Sequence, residues 1–210
     1  MFNLYNIIGN ILIDKNGNNY NTINKLNNKY IAIYFSAKWC GPCKQFTPKL
    51  VDFYNKIDKN NFELIFISLD KNLNEFNMYF NEMPWLSIPF DKNKSESLSE
   101  MFNIDGIPTL HLYDNYGNLI SAYGKDIIAN YDNILINCIN KKYNFDLLFK
   151  TTNLIKGQGD GRISENDANE LINILNNKQL TIDDYRTILF IIHNYNFTDI
   201  AIHNLLSYLE

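Results

Sequence analysis

The chain has 210 residues, of which 46% are hydrophobic and 20% charged. That balance excludes a disordered or collagen-like polymer, and the length suits one domain with a buried core plus a smaller appendage. A net charge of −4 leaves no surplus of cations to neutralise phosphates, so neither nucleic acid nor an anionic membrane is expected as a partner.

No apolar run approaches the ~18–20 residues of a membrane span. The stretch from Met1 to Gly9 has no basic residue ahead of its apolar part, so a secretory signal is not expected. Three cysteines are too few for a secreted disulfide framework and one short of a closed zinc site. The expected location is therefore reducing and cytoplasmic, which for a viral protein means the host cytoplasm or the virion. The excess of Asn, Ile, Lys and Tyr over Ala, Gly and Arg fits the codons of an AT-rich microbe or large DNA virus.

The first elements read as a hairpin. Ile7 to Ile13 is an apolar stretch, and Asp14-Lys15-Asn16-Gly17-Asn18 supplies a turn whose Asn-Gly pair tolerates positive φ. Tyr30 to Ser36 is a continuous run of β-formers, as in a central strand buried on both faces. From Pro42 to Ile57 the residues Phe46, Leu50, Phe53 and Ile57 recur at helical steps, and Phe62 to Asp70 reads as the next strand. Strand, helix and strand in that order make a parallel crossover unit. A helix over 72–82 ends before Pro84, Trp85 to Phe90 is a short extended piece, and Ser95 to Phe102 is a further short helix. Thr109–Tyr113 and Leu119–Tyr123 flank Asp114-Asn115-Tyr116-Gly117-Asn118, a second hairpin signal, and Ile127 to Lys142 is an amphipathic helix.

Beyond Phe149 the pattern changes. The reading is a first domain over 1–149, a glycine-containing linker over 150–163, and an all-helical module over 164–210 without strands. Ser164, Thr181 and Thr198 are each placed to cap a helix there.

The chemistry-bearing segment is Trp39-Cys40-Gly41-Pro42-Cys43-Lys44, between the buried strand and the helix. Two cysteines so spaced at a helix start can close a small disulfide. Cys40 stands at the positive end of the helix dipole, where unpaired amides stabilise a thiolate, the nucleophilic form. Cys43, one turn inward, is the more shielded and suits a resolving role. Pro42 has no amide hydrogen to lose in the first helical turn. A zinc site would require a second pair, which Cys138 alone does not supply.

The segment Tyr34 to Lys44, followed by Phe46-Thr47-Pro48-Lys49-Leu50, resembles the thioredoxin superfamily, and the resemblance runs over roughly residues 4–145. Met83-Pro84-Trp85-Leu86-Ser87-Ile88-Pro89-Phe90 is similar to an insert of its tryparedoxin and nucleoredoxin branch, and Ile107-Pro108-Thr109 matches the superfamily's cis-proline loop. The resemblance implies a thioredoxin fold, an α/β architecture with a central mixed sheet flanked by helices. It implies that Cys40 attacks a substrate disulfide and Cys43 resolves the mixed disulfide. Trp39, Gly41, Pro42, Ile107 and Pro108 would form the substrate-binding surface, with the Ile107 backbone pairing to a bound peptide and Pro48 kinking the helix. No cofactor or metal is implied. The partners implied are disulfide-containing protein substrates, peroxiredoxin-like proteins among them, and a reductase or low-molecular-weight thiol as electron donor.

Two positions depart from the pattern. Tyr34 stands where ordinary thioredoxins bury an Asp that helps move the second thiol's proton, which leaves the proton carrier unassigned. Gly-Pro replaces the Pro-Pro usual in tryparedoxins, which leaves the class of electron donor open. The remaining residues read as structural: Cys138 as a small core side chain, His111, His193 and His203 as packed or surface histidines, and Trp85 as either a core aromatic or part of the active-site face. Asp160 to Ser164 resembles the middle of an EF-hand loop, but Lys156 occupies the first ligand position, where a cation opposes a divalent ion. A thiol–disulfide oxidoreductase is thus the leading function. The alternative is an assembly protein that uses the same body and its C-terminal helices, with redox activity secondary. Isomerase or oxidase work in a secretory lumen is the third reading.

Overall fold

The computed structural model describes residues 4–126, together with 128–129, 136, 140, 162–163, 166, 169 and 196–197. The chain divides into two compact units, residues 1–139 and 140–210.

The first unit is built on a seven-stranded mixed sheet in the order β2-β1-β5-β4-β3-β6-β7. Its strands are β1 (Ile11–Ile13), β2 (Asn19–Asn21), β3 (Tyr30–Ser36), β4 (Phe62–Ser68), β5 (Leu86–Ser87), β6 (Thr109–Tyr113) and β7 (Leu119–Ser121). The helices are α1 (Leu4–Ile8), α2 (Thr22–Leu26), α3 (Gly41–Lys56), α4 (Leu73–Phe80) and α5 (Lys92–Met101). β3 and β4 run parallel, from the Tyr30–Phe62 pair to the Ser36–Ser68 pair, and β6 lies antiparallel on the other side of β3.

The two central strands are apolar on both faces because both faces are covered. Ile31, Ile33 and Phe35 of β3 and Ile65 and Ile67 of β4 point into a core shared with Leu4, Ile8, Leu98 and Phe102. The alternate residues face an aromatic layer with α3 and α4. Tyr34 there meets Phe46 and Phe66 at ring separations of 5.9 and 6.2 Å, and Phe66 meets Phe76 and Tyr79 at 5.9 Å. The period of two along each strand thus separates a core rich in Ile and Leu from one dominated by aromatic rings.

Two five-residue turns of similar sequence close hairpins in the same way. In Asp14–Asn18 and Asp114–Asn118 the aspartate accepts bonds from the backbone two and four residues on, and from the asparagine side chain. Gly17 and Gly117 both sit at φ +83°, where a side chain is strained.

Several expectations are corrected. Ile7 and Ile8 belong to α1 rather than to a strand. A single helical turn is too short for apolar spacing to separate it from an extended run. Helix α5 begins at Lys92 rather than Ser95, because the Asp91 carboxylate accepts from Lys94 N and caps it. The module read as all-helical contains strand: β8 (Arg162–Ile163), inside the expected linker, pairs in parallel with β9 (Asn196–Phe197). A two-residue strand carries no alternation, and its partner lies far along the chain, so no local pattern marks it. The helix expected over 127–142 and the caps at Ser164, Thr181 and Thr198 lie outside the described residues. So do Cys138, His193 and His203, and the linker apart from residues 162–163.

Hydrogen bonds from Asn18 hold the Asp14 carboxyl down at about 2, below its ordinary 3.8. A depressed folded-state pKa means that this turn's stabilisation is complete above the unfolded value and disappears as pH falls through the folded one. Chemical denaturation of the wild type and Asp14→Ala is expected to show a stability gap that is constant near neutrality and closes between pH of about 4 and about 2. A gap independent of pH would contradict the assigned bonding.

Candidate active site

The site forms where β3 and β4 end side by side and the chain turns from β3 into α3, the carboxyl edge at which parallel strands commonly present ligand-binding loops. Leu69 N donates to Ser36 O at 2.9 Å and fastens the two strand ends. The connecting loop is pinned twice more. Lys38 N donates to Asp70 Oδ1 at 2.7 Å, and Trp39 Nε1 donates to Leu69 O at 3.0 Å. Asp70 is 1% exposed and its other oxygen accepts from Ser68 Oγ at 2.7 Å. Burial pushes its pKa up, against these hydrogen bonds.

Cys40 is the N-cap of α3, with extended backbone angles (φ −82°, ψ 113°) and its sulfur accepting from Cys43 N at 3.2 Å. The sulfur therefore occupies the place that a Ser or Asp oxygen takes in an ordinary cap, facing the unpaired amides of the first turn. Cys40 and Cys43 are joined in a disulfide, with their Cα atoms 5.2 Å apart. Cys40 is 5% exposed and Cys43 is fully buried. Gly41 and Pro42 are both exposed in the first helical turn. An added Cβ at Gly41 would meet nothing within 4 Å, so neither backbone angle nor crowding requires a glycine there. The helix continues through Pro48 to Lys56.

The second wall is the loop before β6. The Ile107–Pro108 peptide is cis, and the Ile107 carbonyl oxygen lies 3.6 Å from Cys40 Sγ. Ile107 and Pro108 are both half-buried. Trp39 is 52% exposed. It lines an open groove of about 440 Å³ with Leu69, Lys71 and the Lys92, Glu96 and Glu100 side of α5. Every residue placed at the site from the sequence therefore meets within this one region. Trp85 does not: it is 2% exposed and packs edge-on against Tyr34 and Tyr54, which makes it a core aromatic. His111 is likewise packed, between Phe35 and Phe102.

Beneath the disulfide is a group that the sequence reading did not assemble. Tyr34, Ser36, Thr47 and Tyr79 are each at most 2% exposed. Their hydroxyls touch at 2.9 Å (Tyr34 to Thr47), 3.0 Å (Ser36 to Tyr34), 3.1 Å (Ser36 to Tyr79) and 2.5 Å (Thr47 to Tyr79). Thr47 Oγ1 also donates to the Cys43 carbonyl at 3.0 Å. Burial, reinforced by the Tyr79 phenol, pushes the Tyr34 phenol far above its usual value, so it is a neutral hydroxyl at physiological pH. The sequence singles out Tyr34 as a departure from the pattern and includes Ser36 and Thr47 in the resembling segments without a role, while Tyr79 carries no signal. Among the described residues no group of three or more His, Cys, Asp or Glu side chains is placed to hold a metal ion.

A family model described as Thioredoxin-like matches residues 27–119. Tryparedoxin I from Leishmania major is 34% identical, with a TM-score of 0.55 over 58% of this chain and 85% of its own. Thioredoxin from Wuchereria bancrofti is 36% identical, with a TM-score of 0.54 over 57% of this chain and 85% of its own. The chain belongs to the thioredoxin superfamily, in its tryparedoxin and nucleoredoxin branch. Its sheet and flanking helices are the thioredoxin fold. The human nucleoredoxin is 38% identical over 127 residues, and probable nucleoredoxin 1 of Arabidopsis thaliana 43% over 111. These alignments take in 59% and 52% of this chain but 29% and 19% of the relatives, so the chain spans less than a third of their length.

Asp70 holds the loop that presents Trp39 and Cys40. Removing its carboxylate leaves Lys38 N and Ser68 Oγ without their partner. Asp70→Ala is expected to cost about 1–3 kcal/mol in urea unfolding and to change the Trp39 fluorescence, whereas an unchanged midpoint and spectrum would remove it as the anchor.

Proposed function

We propose that this chain is a thiol–disulfide oxidoreductase that reduces disulfides in other proteins through Cys40 and Cys43. The observation that carries the reading is the position of Cys40 Sγ. It caps α3, receives the Cys43 amide and lies beside the Ile107 carbonyl in front of a cis-proline. First-turn amides favour the thiolate over the thiol, which lowers the pKa of Cys40 below the ~8.5 of a free cysteine.

The reaction balances in two exchanges. The Cys40 thiolate attacks one sulfur of the substrate disulfide, forming a mixed disulfide and expelling the other sulfur as a thiolate. Cys43 then gives up its proton and attacks Cys40 Sγ. The second substrate sulfur departs as a thiolate, and Cys40–Cys43 is left oxidised. Two electrons and two protons from a reductase or a small thiol restore the dithiol. The burial of Cys43 keeps outside disulfides from it, which fixes the order of attack. Trp39, Gly41 and Pro42 form the exposed platform for the substrate. The Ile107 backbone pairs with the substrate's main chain beside Pro108, and the groove by Trp39 accommodates the flanking peptide. Peroxiredoxin-like disulfides are the proposed substrates by analogy with the branch, in the reducing cytoplasmic setting that the cysteine usage favours.

Insulin reduction with dithiothreitol tests the chemistry. The wild type is expected to accelerate precipitation and Cys40→Ser to fall to the uncatalysed rate; equal rates would end the proposal. Cys43→Ser is expected to accumulate covalent adducts through Cys40 that a reductant releases. Adducts formed instead through Cys43 in Cys40→Ser would reverse the order of attack.

A further inference from the structure

The four buried hydroxyls can be ordered by counting protons. Each hydroxyl has one proton to donate. The Cys43 carbonyl only accepts, so the Thr47 proton is committed to it. The Tyr34–Thr47 contact must then be donated by Tyr34, and Ser36 in turn donates to Tyr34. Tyr79 has one proton for its two neighbours, Thr47 and Ser36. The chain runs Ser36 to Tyr34 to Thr47 to the Cys43 carbonyl, every member polarising the next. It ends on the residue whose own N–H points at Cys40 Sγ.

We infer that Thr47, supported by Tyr34, Ser36 and Tyr79, is a positioning residue for the redox reaction. By gripping the Cys43 carbonyl it restrains the Cys43–Lys44 peptide and, through the Cα that both peptides share, steadies the preceding Pro42–Cys43 peptide, whose N–H is aimed at the Cys40 sulfur. This deepens the oxidoreductase reading and rests on it. Thr47 is suited to the task because it lies one turn beyond Cys43 on α3, where a β-hydroxyl reaches the carbonyl four residues back. The next residue, Pro48, has no N–H of its own to bond the preceding turn. The hydroxyl bond at Thr47 to the Cys43 carbonyl thus lies one residue before the gap that Pro48 leaves at the Lys44 carbonyl. The cluster is uncharged and closed to solvent. It orients the amide that stabilises the thiolate and does not store the Cys43 proton.

The sign follows. Loss of the Thr47 hydroxyl weakens stabilisation of the Cys40 thiolate, which exists only in the reduced protein, so the disulfide becomes harder to reduce. Thr47→Val is expected to lower the Cys40 thiolate-to-thiol ratio at fixed pH about fivefold, the effect of one hydrogen bond of ordinary strength, and, at a pH where the thiolate dominates, to shift the equilibrium with glutathione toward the disulfide by up to the same factor. Thr47→Ser, which keeps the hydroxyl, is expected to return both to the wild-type values. Tyr34→Phe, which keeps the Thr47 bond but cuts the chain behind it, is expected to shift both in the same direction by less. It carries the test should Thr47→Val not fold.

Wild-type thiolate fraction and glutathione equilibrium in Thr47→Val, with only a lower melting temperature, would reduce Thr47 to a packing residue. A Thr47→Ser shift as large as that of Thr47→Val would likewise overturn the inference. A wild type inactive on insulin defeats the oxidoreductase reading itself; an active wild type with an unshifted valine variant defeats only the role of Thr47.

Discussion

The structure depends on a sulfur placed where a helix would ordinarily place an oxygen. Cys40 ends the loop after β3 and begins α3, so its Sγ faces the amides that no helical carbonyl can reach. Much of the first unit serves that junction. The parallel pair β3 and β4 brings Ser36 beside Ser68, the short loop crosses above them, and Asp70 and the Leu69 carbonyl fasten it from below. On the opposite side, the loop preceding β6 brings the Ile107 carbonyl to the same sulfur. The Cys40 sulfur is thus held by two backbone segments separated by a long stretch of chain and joined through the central sheet.

The two faces of that sheet have different tasks. The face rich in Ile and Leu, packed with α1 and α5, is a conventional core. The aromatic face is built from Tyr34, Phe66 and the rings of α3 and α4, and it carries hydroxyls in its interior. Phenol oxygens buried without partners would be costly. Gathered around Thr47 they satisfy one another, and Thr47 passes its own proton to the Cys43 carbonyl. The position at which ordinary thioredoxins bury an Asp is filled here by Tyr34, which stays neutral, so the hydroxyl cluster beneath the disulfide has polarity without charge.

The sequence made the main elements legible because their periods are long and clean. β3 and β4 are unbroken apolar runs, α3 repeats its large residues over four turns, and both Asp-initiated turns carry their glycine at the position of positive φ. The cysteines and the proline loop were visible as motifs. What escaped depends on contacts that no window of sequence contains. Asp70 follows β4 like any turn aspartate, and its importance comes from an amide 32 residues earlier. Ser36, Thr47 and Tyr79 are single polar letters in otherwise apolar patterns, on three different elements. The five-residue helices α1 and α2 and the paired β8 and β9 are too short for a period to be read at all.

The account stands on the ionisation of one thiol. The most direct test is the rate of alkylation of the reduced wild type as a function of pH, with mass spectrometry identifying the modified cysteine. Modification at Cys40, with an inflection clearly below the ~8.5 of a free cysteine and Cys43 protected, is the predicted result. An inflection at the ordinary thiol value, or modification of Cys43 first, would contradict the account.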